Sequence, residues 1–295
     1  MIDKDYLIKA IDTENQFRIT LAHTTSLVKE AHTRHNTSAT ASAALGRVLT
    51  AALMMGSDLK GEEDILTLRI VGDGKLGAVV ATVDSHGNGR GLVSNPAADL
   101  PSKYTGKLDV GGIVGREGYL EVIKDIGLKQ PFVGRIPLVS GEIAEDLAEY
   151  FAMSEQIPAL VSLGVLVGQN LDIKASGGIL IQAMPGADDS LLEKVEKNVL
   201  NIGPVSKLVL ENDNLEDILS HIMEGIDYKV LYKNLLNFKC TCNRDRLKVI
   251  LSSFTAGELR EIYEKENVLE ARCNFCNEVY HYEIEEVLVE KDKKP

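Results

Sequence analysis

The sequence has no cysteine in its first 239 residues, no apolar stretch at its start and no excess of positive charge, and each absence narrows what the chain does. The thiol-free run excludes a secreted disulfide framework, in which cysteines would be spread through a small, loop-rich fold. The opening residues, Met1-Ile-Asp-Lys-Asp-Tyr-Leu7, are charged from the outset, and the most apolar later stretch, Ala39 to Gly56, is interrupted by Arg47. A soluble, cytoplasmic protein without a targeting signal or membrane association is expected. Lys and Arg number 32 against 44 Asp and Glu, and the formal net charge of −12 repels the phosphate backbones that nucleic-acid binders attract. Nucleic acid is not expected as a partner.

What is present is an ordinary globular composition, 44% apolar and 26% charged, in a chain of 295 residues. That length exceeds the usual single core, so two domains or a domain plus a module are expected. Apolar alternation between turn-rich flanks predicts strands over Gln16–Ala22, Ile65–Val71, Ala78–Val83, Tyr119–Lys124, Phe132–Val139, Leu160–Val167 and Ile179–Ala183. Helical periodicity predicts helices over Thr25–His35, Thr40–Met55 and Glu142–Ser154. The many glycine-containing turns, His86-Gly-Asn-Gly89 among them, favour an α+β fold class, with largely antiparallel sheets and helices in an N-terminal domain over residues 1–184.

Near Pro185-Gly186 the strand pattern gives way to short helices, which assign residues 185–230 to a helical linker. Asp188, Asp189 and Ser190 can cap a helix with an apolar stripe of Leu191, Leu192, Val195 and Val199, ended by Gly203-Pro204. A second helix is expected from Asp213, with Glu216 three residues on as in a capping box, and carries Leu215, Ile218, Leu219 and Ile222. Between Asp188 and Tyr228 ten acidic residues face three lysines. Such short, self-repelling helices depend on packing against a neighbour for their order.

All four cysteines fall in a C-terminal module over residues 231–295, as Cys240-Thr-Cys242, thirty residues, then Cys273-Asn-Phe-Cys276. Two close pairs separated by a structured segment can place four thiolates at the corners of a tetrahedron, the geometry of a closed structural zinc site with one ion. The intervening segment carries two amphipathic stretches, Arg244–Phe254 and Ala256–Lys265, and then a strand, Val268–Arg272, leading into the second pair. About 60 residues supply little core, so the metal is expected to hold the module folded. The bland reading is an inert zinc ribbon. The Cys-x-Cys spacing points further, because a disulfide across one residue closes a small strained ring, and strained disulfides are reducible and regulatory. Zinc holds thiols in the nucleophilic thiolate form, so metal loss, disulfide formation and local unfolding can be one coupled event.

This cysteine pattern near the end of a chain of this length resembles the heat-shock protein 33 family of redox-regulated holdase chaperones. The likeness extends to Thr40-Ala-Ser-Ala-Ala-Leu-Gly-Arg47, Val93-Ser-Asn-Pro96, Gly106-Lys-Leu-Asp-Val110, Lys124-Asp-Ile-Gly-Leu128, Ser140-Gly-Glu142 and Gly177-Gly-Ile-Leu-Ile-Gln-Ala-Met-Pro-Gly186, and so covers nearly the whole chain. The four ligand positions, Cys240, Cys242, Cys273 and Cys276, show no departure from the family pattern. The resemblance implies a zinc-bound, reduced, inactive form. It further implies that oxidation pairs Cys240 with Cys242 and Cys273 with Cys276, releases the metal and unfolds the linker. Unfolding proteins are then bound without ATP, and the active form is commonly a homodimer. Residue-level client contacts are too diffuse in the family to carry over.

Other signals are weaker. Gly72-Asp-Gly-Lys-Leu-Gly77 fits the dinucleotide fingerprint, but a β-rich run follows where a helix is needed, so a turn between strands is expected. His281-Tyr-Glu283 matches part of a zinc-deaminase signature in the wrong order relative to the cysteines and reads as a strand surface. His32 and His35 read as surface residues, and Glu142, Glu145, Asp146 and Glu149 as the solvated face of a helix, so no catalytic residue is assigned. Two rivals to the chaperone reading are a constitutive zinc-ribbon adaptor and an enzyme with an unrecognised N-terminal site.

Overall fold

Apolar residues on both faces of one sheet dictate the layering of the first unit. The computed structural model describes residues 5–103, 106–212 and 214–292, and it divides into a unit ending at Lys239 and a unit beginning at Cys240. The first unit opens with β1 (Tyr6–Asp12), β2 (Phe17–His23), α1 (Thr25–His35) and α2 (Ala39–Gly56). Then come β3 (Ile65–Gly72), β4 (Ala78–Asp84), β5 (Asn88–Val93), α3 (Val110–Val114), β6 (Gly118–Asp125) and β7 (Phe132–Pro137). Next, α4 (Ala144–Tyr150) runs into a π-helical turn (Phe151–Glu155), followed by β8 (Ala159–Val167) and β9 (Ile173–Ala183). The unit closes with α5 (Asp189–Ile202), α6 (Val205–Glu211), α7 (Leu215–Ile222), β10 (Tyr228–Leu235) and β11 (Asn237–Phe238).

Five strands form an antiparallel sheet in the order β10-β1-β2-β9-β8, and six form a second sheet in the order β11-β5-β4-β3-β6-β7, antiparallel except where β11 joins β5. Helix α2 lies between the sheets and contacts β4 and β5 on one side and β8 and β9 on the other. It is long and apolar enough to cross a membrane, yet 89% of it is buried inside the protein. Ser38 caps it by accepting from the Ala41 N–H. Close approach to β9 requires glycine, since a Cβ at Gly178 would lie 2.7 Å from Met54 and 2.9 Å from Thr50.

The opposite face of the five-stranded sheet is apolar too. Strand alternation sends Leu7 of β1 and Leu180 of β9 toward α2, and sends Ile8, Ile19, Leu21, Ile179 and Ile181 the other way. Helices α5 to α7 cover that second face with Val195, Val205, Val209, Ile218 and Ile222. Each such side chain, when fully buried, contributes roughly 1.5–3 kcal/mol. Tyr6 pins the assembly: its hydroxyl accepts from the Leu215 N–H at 2.6 Å and donates to Glu216 Oε2 at 2.8 Å. Burial pushes its phenol up to about 12, so at neutral pH it is an uncharged donor. Asp188 caps α5 through the Ser190 N–H, and Asn214 caps α7 through the Asp217 N–H. Asp213, the expected cap of α7, lies outside the described residues.

The α+β architecture with largely antiparallel sheets agrees with the sequence reading, and the predicted helices over 25–35 and 40–55 correspond to α1 and α2. Two expectations are corrected. Strands β1 and β5 were not expected. The first compact unit extends to Lys239, because β10 adds to β1 and β11 to β5. The acidic helix face is not all solvated. Asp146 is fully buried and accepts from the Val139 and Ser140 N–H groups at 2.7 and 3.0 Å, while Glu142 is paired with Arg47 at 2.9 Å and Lys103 at 3.2 Å. Burial works against ionisation of Glu142, and the cations around it, Arg47 foremost with Lys103 and Lys107, together outweigh it and hold the carboxyl below its usual range. Asp146→Ala leaves the part-buried loop N–H groups of Val139 and Ser140 without their acceptor, at a cost of about 1–3 kcal/mol. Chemical denaturation of the variant should show the first unit destabilised by at least one such increment, and an unchanged midpoint would refute the role of Asp146.

Candidate metal centre

The second unit has little with which to hold itself together. It consists of α8 (Arg244–Leu251), α9 (Ala256–Glu266), β12 (Leu269–Arg272), β13 (Val279–Tyr282) and α10 (Ile284–Asp292). Its buried large side chains are Leu247, Leu259, Leu269, Tyr282, Ile284 and Val287, a small core for more than fifty residues. Local chemistry sets the elements: Asn243 caps α8 through the Arg246 N–H, and Thr255 and Glu258 form a capping box on α9. Asn267 ends α9 in the left-handed region at φ 56°, which asparagine tolerates.

Strands β12 and β13 pair as an antiparallel hairpin whose connection is the second cysteine pair. The Cys273 N–H donates to the Glu278 carbonyl at 2.9 Å and the Asn277 N–H to the Cys273 carbonyl at 2.7 Å, with Asn277 at φ 59°. This tight turn buries Cys273 and Cys276 and turns backbone N–H groups toward their sulfurs. The first pair lies half-buried on the extended segment before α8.

All four sulfurs are free thiols and lie within 4.8 Å of one another. The short contacts cross between the pairs: Cys240 Sγ is 3.7 Å from Cys273 Sγ, and Cys242 Sγ is 3.3 Å from Cys276 Sγ. Ligands about 2.3 Å from a tetrahedral metal stand about 3.8 Å apart, whereas a disulfide needs about 2.05 Å. The donor set therefore fits one tetrahedral, thiophilic metal ion. Among the described residues no other group of three or more His, Cys, Asp or Glu side chains gathers ligand atoms in this way.

The sulfurs are electrically unlike. Burial pushes the thiols of Cys240 and Cys276 up. Burial works against ionisation of Cys273 as well, but the N–H groups of Cys276 and Phe275, together with the thiols of Cys276 and Cys240, outweigh it and hold this thiol below its usual range. Tyr280 on β13 places its hydroxyl 3.5 Å from Cys242 Sγ, and that hydrogen bond, with burial, raises the phenol above its ordinary value. Nothing in the sequence singled Tyr280 out, because its position opposite the cysteines depends on strand pairing.

The sequence matches the family model described as "Hsp33 protein" over residues 5–283. The chain belongs to the Hsp33 family. Proteins named "33 kDa chaperonin" from Desulforamulus reducens and Clostridium botulinum are 45% and 44% identical to it, over 95% and 96% of both chains. The crystal structure of the 33 kDa chaperonin, heat shock protein 33 homolog, of Thermotoga maritima superimposes with a TM-score of 0.88 at 36% identity, covering 99% of this chain and 98% of that one. The Hsp33 assignment thus rests on sequence and fold over nearly the full length.

The remaining candidates lie apart from the cysteines. Gly72 to Gly77 form a turn followed by β4, with the Gly74 N–H on the Val114 carbonyl at 2.9 Å. His32 is half-buried and not on the surface as expected, with Nδ1 bonded to the hydroxyls of Thr37 at 3.1 Å and Ser42 at 3.0 Å. His35 also has a partner. His281 is exposed on β13, and Glu283 accepts from the Tyr263 hydroxyl at 2.6 Å. Cobalt(II) added to the reduced protein should give the visible absorption of a tetrahedral thiolate complex, and Cys276→Ser should lose it on dialysis against a weak chelator. Retention of the full spectrum in that variant would remove Cys276 from the site.

Proposed function

We propose that this Hsp33-family protein is a cytoplasmic, redox-regulated, ATP-independent holdase that binds unfolding proteins under oxidative stress. The observation that carries this reading is the convergence of four free sulfurs within 4.8 Å in a unit whose apolar core is too small to hold it alone. In the resting form Cys240, Cys242, Cys273 and Cys276 hold one zinc ion. When bound, zinc keeps the four sulfurs as thiolates and joins the two ends of the module, a cross-link worth about 10–16 kcal/mol of apparent folding free energy near neutral pH.

Oxidation acts on the sulfurs. Two thiols and one hydrogen peroxide give one disulfide and two waters, and disulfides Cys240–Cys242 and Cys273–Cys276 leave no thiolate to bind metal. The module then loses its principal cross-link. Cys240 follows β11 by one residue, so unfolding frees the end of the chain that leads back through β10 to α7. With that end released, the acidic helices α5 to α7 have less to hold them on the sheet, and the face carrying Ile8, Ile19, Leu21, Ile179 and Ile181 opens to solvent. An apolar face of this kind captures the exposed cores of other proteins without any nucleotide, and a homodimer doubles the surface presented to one client.

Light scattering of a thermally unfolding client tests the scheme. The reduced, zinc-loaded protein should suppress aggregation weakly, and the same protein after peroxide and mild warming should suppress it strongly, with zinc release and thiol loss on the same time course. Absence of suppression in the oxidised, metal-free form would sink the proposal, and peroxide-insensitive zinc and binding would point to a constitutive adaptor. A second test bypasses oxidation. Tyr6→Phe leaves the Leu215 N–H without its acceptor, a loss of about 1–3 kcal/mol from linker docking. The reduced variant should therefore capture clients at a lower temperature than the parent.

A further inference from the structure

Two tyrosines of β13 reach the segment that carries Cys242 in register. Tyr280 and Tyr282 are two residues apart on one strand and so share a face. Their hydroxyls meet two positions that are also two apart on the facing segment: Tyr280 meets Cys242 Sγ at 3.5 Å, and Tyr282 donates to the Arg244 carbonyl at 2.6 Å. The Arg244 guanidinium stacks over the Tyr282 ring at 4.5 Å. The pair thus clamps the Cys-x-Cys segment against the hairpin that carries Cys273 and Cys276. The two contacts differ in kind. Tyr282 holds backbone, whereas Tyr280 faces a sulfur and is the donor whenever that sulfur is a thiolate.

We propose that Tyr280 is a positioning residue of the redox switch, whose hydroxyl donates to Cys242 Sγ and restrains that sulfur from attacking oxidant while the cluster is loaded. The inference rests on the metal-bound reading of the four cysteines given above. A sulfur held as thiolate keeps its charge whether or not Tyr280 is present, so the hydrogen bond acts on lone-pair availability. Drawing electron density toward the phenolic proton lowers the sulfur's nucleophilicity and fixes its direction as a ligand. The step restrained is attack of the Cys242 thiolate on peroxide: an S–O bond forms, the O–O bond breaks and hydroxide leaves. The Cys240 thiolate then attacks the Cys242 sulfur, forming the S–S bond and expelling a second hydroxide, and two protons from solvent complete two waters. Cys240, Cys273 and Cys276 take backbone N–H donors, which no side-chain substitution removes. The Tyr280 hydroxyl is the donor that sequence can vary.

The experiment compares the full-length parent, Tyr280→Phe and Tyr282→Phe, each reduced and zinc-loaded. Zinc affinity is read by competition with a chromogenic chelator, and thiol loss under peroxide by mass-resolved alkylation. Tyr280→Phe should bind zinc about 10-fold more weakly, in the range known for lost outer-shell partners, and should lose the Cys240 and Cys242 thiols severalfold faster. Tyr282→Phe should oxidise at the parental rate. Stripped of metal, the parent and Tyr280→Phe should oxidise equally, because the contact exists only in the folded cluster. Parental zinc affinity and oxidation rate in Tyr280→Phe would overturn the role of Tyr280, as would equal acceleration in Tyr282→Phe, which would make the effect one of clamping alone. A parent that binds no zinc or keeps its thiols under peroxide would instead overturn the reading on which the role rests.

Discussion

A β-sheet that is apolar on both faces must be covered twice, and most of this molecule follows from that requirement. One face of the five-stranded sheet meets α2, which brings the second sheet with it, and the other meets α5 to α7. The two covers are not equal. Helix α2 is a long apolar element with sheets on both sides, whereas α5 to α7 are short, carry excess negative charge and leave their outer face to solvent. A strong interior cover and a weaker exterior one on the same sheet suit the proposed opening, which would expose one face without dismantling the rest.

The cysteine module shows the complementary economy. Its helices are well capped and its hairpin is tight, yet six large buried side chains cannot order it alone. Under the proposed function its integrity is tied to the chemical state of four sulfurs. A module with a generous core would bind metal equally well and would be indifferent to losing it. In that scheme the thinness of the core is what couples chemistry to folding.

The sequence reading succeeded where the signal is local. Thr25–His35 is helical because its apolar residues recur at helical spacing, and the cysteine spacing anticipates four sulfurs close enough to hold one ion. It missed what long-range packing imposes. Strand β1 carries Lys9 and Asp12 among apolar residues, and Lys9 is tolerated at 4% exposure because Asp58, far along the chain, pairs with it and the Tyr232 ring lies beneath its ammonium. Strand β5 contains Gly89 and Gly91, poor strand formers. They are kept because a Cβ at either would press to 3.1–3.2 Å against leucines of α2. Asp146 looked like one carboxylate among four on a polar helix face, and only the folded loop shows the N–H groups it serves.

The pairing of Tyr6 with Leu235 places the two ends of the first unit side by side. During synthesis β1 is made first and its neighbour β10 almost last, so one edge of the five-stranded sheet stays open while nearly the whole unit is being translated. The face later covered by α5 to α7 is likewise complete, once β9 emerges, before its cover exists. A nascent chain of this protein passes through the same exposed arrangement that the mature protein is built to keep closed. It meets, on its own behalf, the hazard of an uncovered apolar sheet in a crowded solution.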